Sequence, residues 1–342
     1  MCYSDDIRRV AALDLPWEKL AGCNILVTGA TGLLGDCLVE VLMQRDAADF
    51  SMWAMSRSEA RARELFASYA ANPRFHFLPA DVTLPLDCDV PFHYIVHAAS
   101  PASPNFFASQ PVETMLANIL GVRNLMDYGI RHDMRRLLFV SSGEVYGEGD
   151  GRDFVEEYSG YVNPLLARSC YPGSKRAAET LCASYGAEYG ADYVIARLCH
   201  TYGPHFAPQD NRVYAQFIRN VLRGEDIVMK STGAQFRTWC YVADAVSALL
   251  HILLKGTCGE AYNVADPSSS ISIRELAEMV ASIAGKKVKT ELPDDAEKAG
   301  YNPVTRSVFS TERLSGLGWS VEGNMYDKMQ RTLQEIVNQK TP

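Results

Sequence analysis

The chain has 342 residues, with 33 Lys and Arg against 41 Asp and Glu, a net charge of -8 and a pI near 5.5. That acidic balance excludes a nucleic-acid backbone as partner, since such a partner needs a dominant basic face; any phosphate bound here must be small and met by a few local arginines. The length allows one large core and a smaller second lobe.

The opening stretch MCYSDDIRRVAALDLPWEKLAG carries acids and bases throughout and lacks the apolar core of a signal peptide. No later run reaches the eighteen or so apolar residues of a membrane span. Nine cysteines are scattered singly, with no C-x-x-C pair and no H-E-x-x-H. This predicts reduced thiols, no metal site and a cytoplasmic protein.

Residues 24–28, NILVT, are a short apolar run that passes into GATGLLG and then the helical pattern LLGDCLVEVLMQRD. This is a strand, a glycine turn and a helix. Gly29, Gly32 and Gly35 let the backbone turn sharply and approach a pyrophosphate, with the helix N-terminus facing the phosphates. A bare strand-helix turn would look similar, and only the context raises the reading above that.

FSMWAMS, FHFLPADV, YIVHAAS, RRLLFVSS and DYVIARLCHTYG read as further strands, with VETMLANILGVRNLMDYGI and SKRAAETLCASYGAEYG as helices between them. The alternation predicts an α/β fold, a Rossmann-type doubly wound parallel sheet with helices on both faces. After the second strand, where an acid that binds a ribose is expected, the chain has Ser56 and Arg57 and no carboxylate before Glu59. Ser56 and Arg57 could hold a 2'-phosphate; alternatively Ser56 bonds a 2'-hydroxyl while Arg57 covers the adenine, or the pair is an exposed basic turn. Asp81 and Val82 follow the third strand as candidate adenine contacts, though an acid at a strand end is often only a helix cap.

Ser142 ends the strand LLFVSS, and Tyr171 and Lys175 stand four apart in YPGSK at the start of a helix, so both project from one face. An ammonium beside a phenol favours tyrosinate, which makes Tyr171 a base usable near neutral pH. Ser142 would hold the reacting oxygen. After about residue 204 the rhythm changes to loops, the helix YAQFIRNVLRG, the segment TWCYVADAVSALLHILLKG and the strand EAYNVAD.

GATGLLG, HAAS at 97–100, Asn118, SSGEVYG, YPGSK and RLCHTYGP together resemble the extended short-chain dehydrogenase/reductase superfamily, from about residue 22 to GLGW at 316–319. SPASP, DNRVYAQFIRNVLRGEDIVM and AQFRTWCYVADAV resemble its NAD-dependent nucleotide-sugar epimerases, dehydratases and decarboxylases, UDP-glucuronate decarboxylases most of all. The resemblance implies a catalytic set of Ser142, Glu144, Tyr171 and Lys175. It implies dinucleotide contacts at Gly29, Thr31, Gly32, Leu33, Leu34, Gly35, Ala98 and Ala99 besides the pair after strand two. Ser100, His200, Arg212 and Arg237 would meet the nucleotide sugar, the arginines as forks on its diphosphate or else as partners in surface ion pairs.

The implied activity is transient oxidation at C4 of a nucleotide-diphosphate sugar, with NAD as cofactor and NADP left open. Glu144 matches the acid that dehydratases and decarboxylases place beside the sugar and simple 4-epimerases usually lack, although a purely structural acid fits too. Dehydratases that expel the C6 hydroxyl carry an aspartate just before it, where this chain has Gly143; that leaves decarboxylation as the nearer analogue, ahead of 4-epimerisation or 4,6-dehydration. A net reductase is a further alternative, and a non-catalytic cofactor sensor is the alternative from another class. His200 stands in place of the usual asparagine, either on the sugar or filling a buried polar site, and Pro172 and Gly173 depart from the usual run.

The expected domains are 1–204 for the dinucleotide, with a return segment at 238–265, and 205–237 with 266–342 for the substrate. A homodimer is expected through the helices carrying Asn118 and Tyr171, with Leu116, Ile119, Leu181 and Tyr185 in the contact.

Overall fold

The computed structural model describes residues 2–45, 49–291 and 305–340; 292–304 and 341–342 of the expected substrate lobe, and 1 and 46–48 of the first domain, lie outside the described residues. Seven parallel strands form the main sheet: β1 (Cys23–Thr28), β2 (Phe50–Ser56), β3 (Phe75–Pro79), β4 (Tyr94–His97), β5 (Arg136–Ser142), β6 (Tyr193–Leu198) and, later in the chain, β10 (Ala261–Val264). Their order is β10-β6-β5-β4-β1-β2-β3. The middle of the sheet is buried on both faces, β5 along five consecutive residues, which is why these strands read as unbroken apolar runs. The predicted doubly wound sheet is the one observed.

The helices α1 (Tyr3–Ala11), α2 (Leu33–Met43), α3 (Glu59–Leu65), α4 (Pro104–Ser109), α5 (Pro111–Arg131), α6 (Cys170–Tyr189), α7 (Val213–Leu222), α8 (Val242–Lys255) and α9 (Ile273–Ile283) complete the layers, followed by Glu312–Ser315 and Met325–Lys340. Thirteen consecutive residues of α8, Val242 to Leu254, are buried. A helix buried on every side lies inside, and α8 is packed among α1, α2, β5 and β6, its buried Asp244 paired with Lys328 and Arg9.

DYVIARLCHTYG reads as one strand in the sequence but breaks at Cys199. The first part is β6; the second, β7 (His200–Tyr202), pairs with β9 (Phe236–Tyr241) in a smaller sheet ordered β11-β9-β13, with β11 at Asp266–Ser272 and β13 at Arg306–Ser307. A third pair joins β8 (Ile227–Met229) to β12 (Val288–Thr290). The chain thus steps from one sheet to the other at His200, and the segment that returns to the main sheet begins with α8.

This step puts residues of both sheets around one crevice outside the carboxyl ends of the parallel strands, where open α/β sheets bind ligands. Ion pairs tie the terminal helices to α8 and to each other: Lys328 to Asp244 at 2.7 Å, Arg9 to Asp244 at 3.1 Å and Arg331 to Asp6 at 2.9 Å. Among the described residues no helix is long and apolar enough to cross a membrane.

Candidate active site

A cavity of about 520 Å³ opens at that crevice, within the range that holds a small molecule. Its lining includes Gly29, Gly32, Leu33, Leu34, Gly35, Ala98, Ser100, Ser142, Glu144, Tyr171, Lys175, His200, Arg212 and Arg237. Stretches far apart in the sequence therefore meet in one place.

Ser142 is the last residue of β5, and its hydroxyl accepts from the Glu144 backbone N–H at 3.2 Å, which caps the short 3-10 turn Gly143–Tyr146. A side chain at 143 would displace Phe309, because a Cβ there would lie 2.2 Å from its ring. The missing aspartate therefore has a packing counterpart.

Tyr171 and Lys175 lie one turn apart on α6, with Pro172 in the first turn where no intrahelical N–H is needed. Buried Asn118 donates to Ser174 at 3.0 Å and fastens α5 against this turn. The phenol is raised overall, the reverse of what the spacing alone implies. Burial, reinforced by the Glu144 carboxylate, pushes Tyr171 up to about 12, and an interaction with Ser142 works the other way. Burial brings Lys175 down to about 7, since a charged amine loses its hydration there.

Glu144 accepts both prongs of the Arg168 guanidinium, at 2.9 and 2.8 Å. Arg212 is held by Asp210, Nε at 3.0 Å from each oxygen and Nη2 at 2.6 Å, and touches Tyr214. Arg237 is buried, and burial lowers its guanidinium to about 10 against the opposing pull of Glu144. His200 packs on Trp239 and is held neutral, its pKa lowered to about 3 by burial and by Arg237 and Arg212; its buried Nδ1 has no hydrogen-bond partner.

Several predicted contacts stand apart from the cavity lining. Ser56 is buried at the end of β2, while Arg57 is exposed, 3.8 Å from Asp81. Asp81 accepts from Thr83 N–H at 2.9 Å, a local turn cap, and the Val82 carbonyl accepts from Asn124 at 2.9 Å. The Thr31 carbonyl accepts from Arg61 at 3.2 Å, and the Ala99 backbone lies against Gly29.

Residues 25–265 match the NAD dependent epimerase/dehydratase family. The chain belongs to that family. It is 35% identical over 296 residues to UDP-glucuronic acid decarboxylase 6 of Arabidopsis thaliana, covering 86% of this chain and 83% of that protein. Among solved structures it resembles the UDP-glucose 4-epimerase of Thermus thermophilus in complex with NAD (TM-score 0.75, 25% identity, 92% of this chain and 99% of that one). It also resembles the dTDP-glucose 4,6-dehydratase of Streptomyces venezuelae (TM-score 0.79, 23% identity, 92% and 97%).

The cofactor of the NAD dependent epimerase/dehydratase family is NAD, and the glycine turn fits it. Gly29 has φ +68°, and a Cβ there would lie 2.8 Å from Ala99; a Cβ on Gly35 would lie 2.3 Å from the Gly29 carbonyl oxygen. Side chains at either point would close the cradle, and the N-terminus of α2 has no side-chain cap competing for its N–H groups.

Arg168, Phe107 and Asp210 were not foreseen from sequence. The signal for Arg168 was indirect: a lone acid facing a ligand cavity needs a cation beside it.

Proposed function

We propose that this protein is a UDP-glucuronate decarboxylase-like lyase, which oxidises C4 of the sugar transiently and removes the C6 carboxylate. The observation that carries the reading is Glu144, set in the same cavity as Ser142, Tyr171 and Lys175, paired with Arg168, and preceded by Gly143 in place of a second acid. The likeness to plant UDP-glucuronic acid decarboxylases over most of the chain supports it.

When bound, NAD supplies a reversible hydride acceptor and a cationic ring that favours tyrosinate. Ser142 holds the C4 oxygen by hydrogen bond, and Tyr171 takes the C4 hydroxyl proton. Lys175, one turn along, stabilises the phenolate by its charge. Arg212 and Arg237 bind the diphosphate, and His200, kept neutral, offers Nδ1 to a sugar hydroxyl.

With a ketone at C4, the C6 carboxylate is β to a carbonyl. The C5–C6 bond breaks, its electron pair passes into the enolate and carbon dioxide leaves. The enolate then takes a proton at C5. Both oxygens of Glu144 already accept from Arg168, so Glu144 acts by orienting the water that delivers this proton. Tyr171 returns its proton to the C4 oxygen as the ketone is reduced, and the reaction is redox-neutral.

The same reading takes residues 1–204 with 238–265 as the cofactor domain and 205–237 with 266–342 as the substrate lobe, so the smaller sheet draws strands from both. Ser56 is assigned to the ribose 2'-hydroxyl and Arg57 to the adenine. The described cysteines are unpaired thiols, which supports a reducing, cytoplasmic setting. Dimerisation through α5 and α6 completes it, with Leu116 exposed on α5; Tyr185 is instead buried within the chain, its hydroxyl donating to Asp127.

Incubation of the protein with UDP-, TDP-, GDP- and CDP-sugars, followed by product mass and sugar analysis, tests the assignment. Loss of carbon dioxide from UDP-glucuronate is expected. UDP-galacturonate as sole product would replace the reading with C4 epimerisation.

A further inference from the structure

Arg168 sits on the short turn Ala167–Ser169 that leads into α6, three residues before Tyr171. Its guanidinium lies 4.7 Å over the Phe107 ring, which is itself stacked on the Tyr171 ring at 4.5 Å and 22°. Phe107 is buried, so a three-layer stack of arginine, phenylalanine and catalytic tyrosine holds the fork in place.

The pairing of this arginine differs from that of its two neighbours. Arg212 is bound up by Asp210 and Tyr214, and Arg237 is 3% exposed. The Arg168 side chain is 40% exposed and that of Glu144 30%, so this ion pair faces the cavity rather than being sealed in protein. Two of the five guanidinium N–H groups go to Glu144, and the rest of the planar fork is geometrically suited to a second carboxylate.

A uronate entering this cavity brings a carboxylate toward Glu144. Two carboxylates close together in a partly dry site repel, and the repulsion is relieved only by a cation between them. Arg168 is the cation that pairs with Glu144 at the cavity wall.

We propose that Arg168 is the specificity-determining residue that recognises the sugar carboxylate at C6, sharing its fork between that group and Glu144. The inference rests on the decarboxylase reading and names how the substrate is chosen within it. A neutral hexose gains nothing from the fork, because its C6 hydroxymethyl leaves the Arg168–Glu144 pair as it is. Loss of carbon dioxide removes the second carboxylate, so the pair closes again and the pentose product is held less tightly than the substrate.

The test is calorimetric binding to NAD-loaded protein carrying Tyr171→Phe, which blocks turnover, with UDP-glucuronate, UDP-glucose and UDP-xylose as titrants. Adding Arg168→Met, which keeps a stem to cover Phe107, is expected to weaken UDP-glucuronate by about tenfold to a hundredfold, the range of a hydrogen bond to a charged group, and to change the other two by less than about threefold. Arg168→Lys should restore part of the loss. Adding Glu144→Gln instead removes the competing carboxylate and should raise the preference for UDP-glucuronate over UDP-xylose.

Equal weakening of all three sugars by Arg168→Met, or a fall in preference with Glu144→Gln, overturns the proposal. The parent reading fails separately: a parent protein that releases no carbon dioxide yet loses uronate selectivity with Arg168→Met keeps the carboxylate site and loses the decarboxylase assignment. A parent that decarboxylates, with a variant that weakens nothing selectively, keeps the decarboxylase assignment and overturns the role given to Arg168.

Discussion

The Lys175 ammonium donates to the carbonyl oxygen of Val140 at 2.8 Å, which pins the helix carrying Tyr171 to the strand that ends in Ser142. The amine is buried, and burial brings it to about 7 from 10.5. Between those two values the unfolded chain binds the proton more tightly than the folded one, so folded stability rises with pH across that window. The cost of burying the charge is fully present below about 7 and gone above the unfolded value. Lys175→Met should therefore stabilise the ligand-free protein relative to the parent most at pH 6 and least near pH 10, as read by thermal unfolding. A difference that grows with rising pH would contradict the burial argument.

Tyr171→Phe removes the proton-accepting oxygen and little volume, and leaves the stack on Phe107 intact. Turnover should fall by about a thousandfold or more, in the range of a lost general base, with NAD affinity preserved. Activity within about tenfold of the parent would remove Tyr171 from its assigned role.

Cofactor choice turns on the end of β2. Arg57 is the cation nearest a 2'-substituent in the sequence reading, yet it lies 3.8 Å from Asp81, whose charge offsets it and would repel a phosphate brought alongside. NAD is expected to bind at least about tenfold more tightly than NADP by calorimetry, a difference of about 1.4 kcal/mol. The opposite ranking would assign Ser56 and Arg57 to a 2'-phosphate.

On α5, Val112, Met115 and Leu116 are exposed apolar residues. Their burial in a symmetric contact with α6 predicts a dimer at micromolar concentration by light scattering, and Leu116→Glu should shift it toward monomer. A monomeric parent would count against the contact.

Much of the site was legible because its signals are local. The turn from Gly29 to Gly35 follows directly from a strand, and four residues of helix bring Tyr171 and Lys175 to one face. Ser142 was placed by topological order, since adjacent parallel strands and the helix between them fix which carboxyl ends are neighbours.

What escaped depended on distant packing. The split at Cys199 between β6 and β7 leaves no mark in an apolar run that suits either sheet, so His200 read as part of one strand when it begins another. Arg168 reaches Glu144 only because residues 147–169 fold back over the cavity. The phenol's upward shift belongs to the same class, being an effect of burial that residue spacing does not carry.

The most direct test of oxidation at C4 followed by decarboxylation is turnover of UDP-glucuronate with NAD in deuterium oxide, followed by NMR, alongside Glu144→Gln. The expected product is UDP-xylose with one deuterium at C5, carbon dioxide in equal amount and no net reduced cofactor, with the variant slowed by about a hundredfold without any loss of substrate affinity. UDP-galacturonate without carbon dioxide, or an unchanged rate in Glu144→Gln, would contradict it.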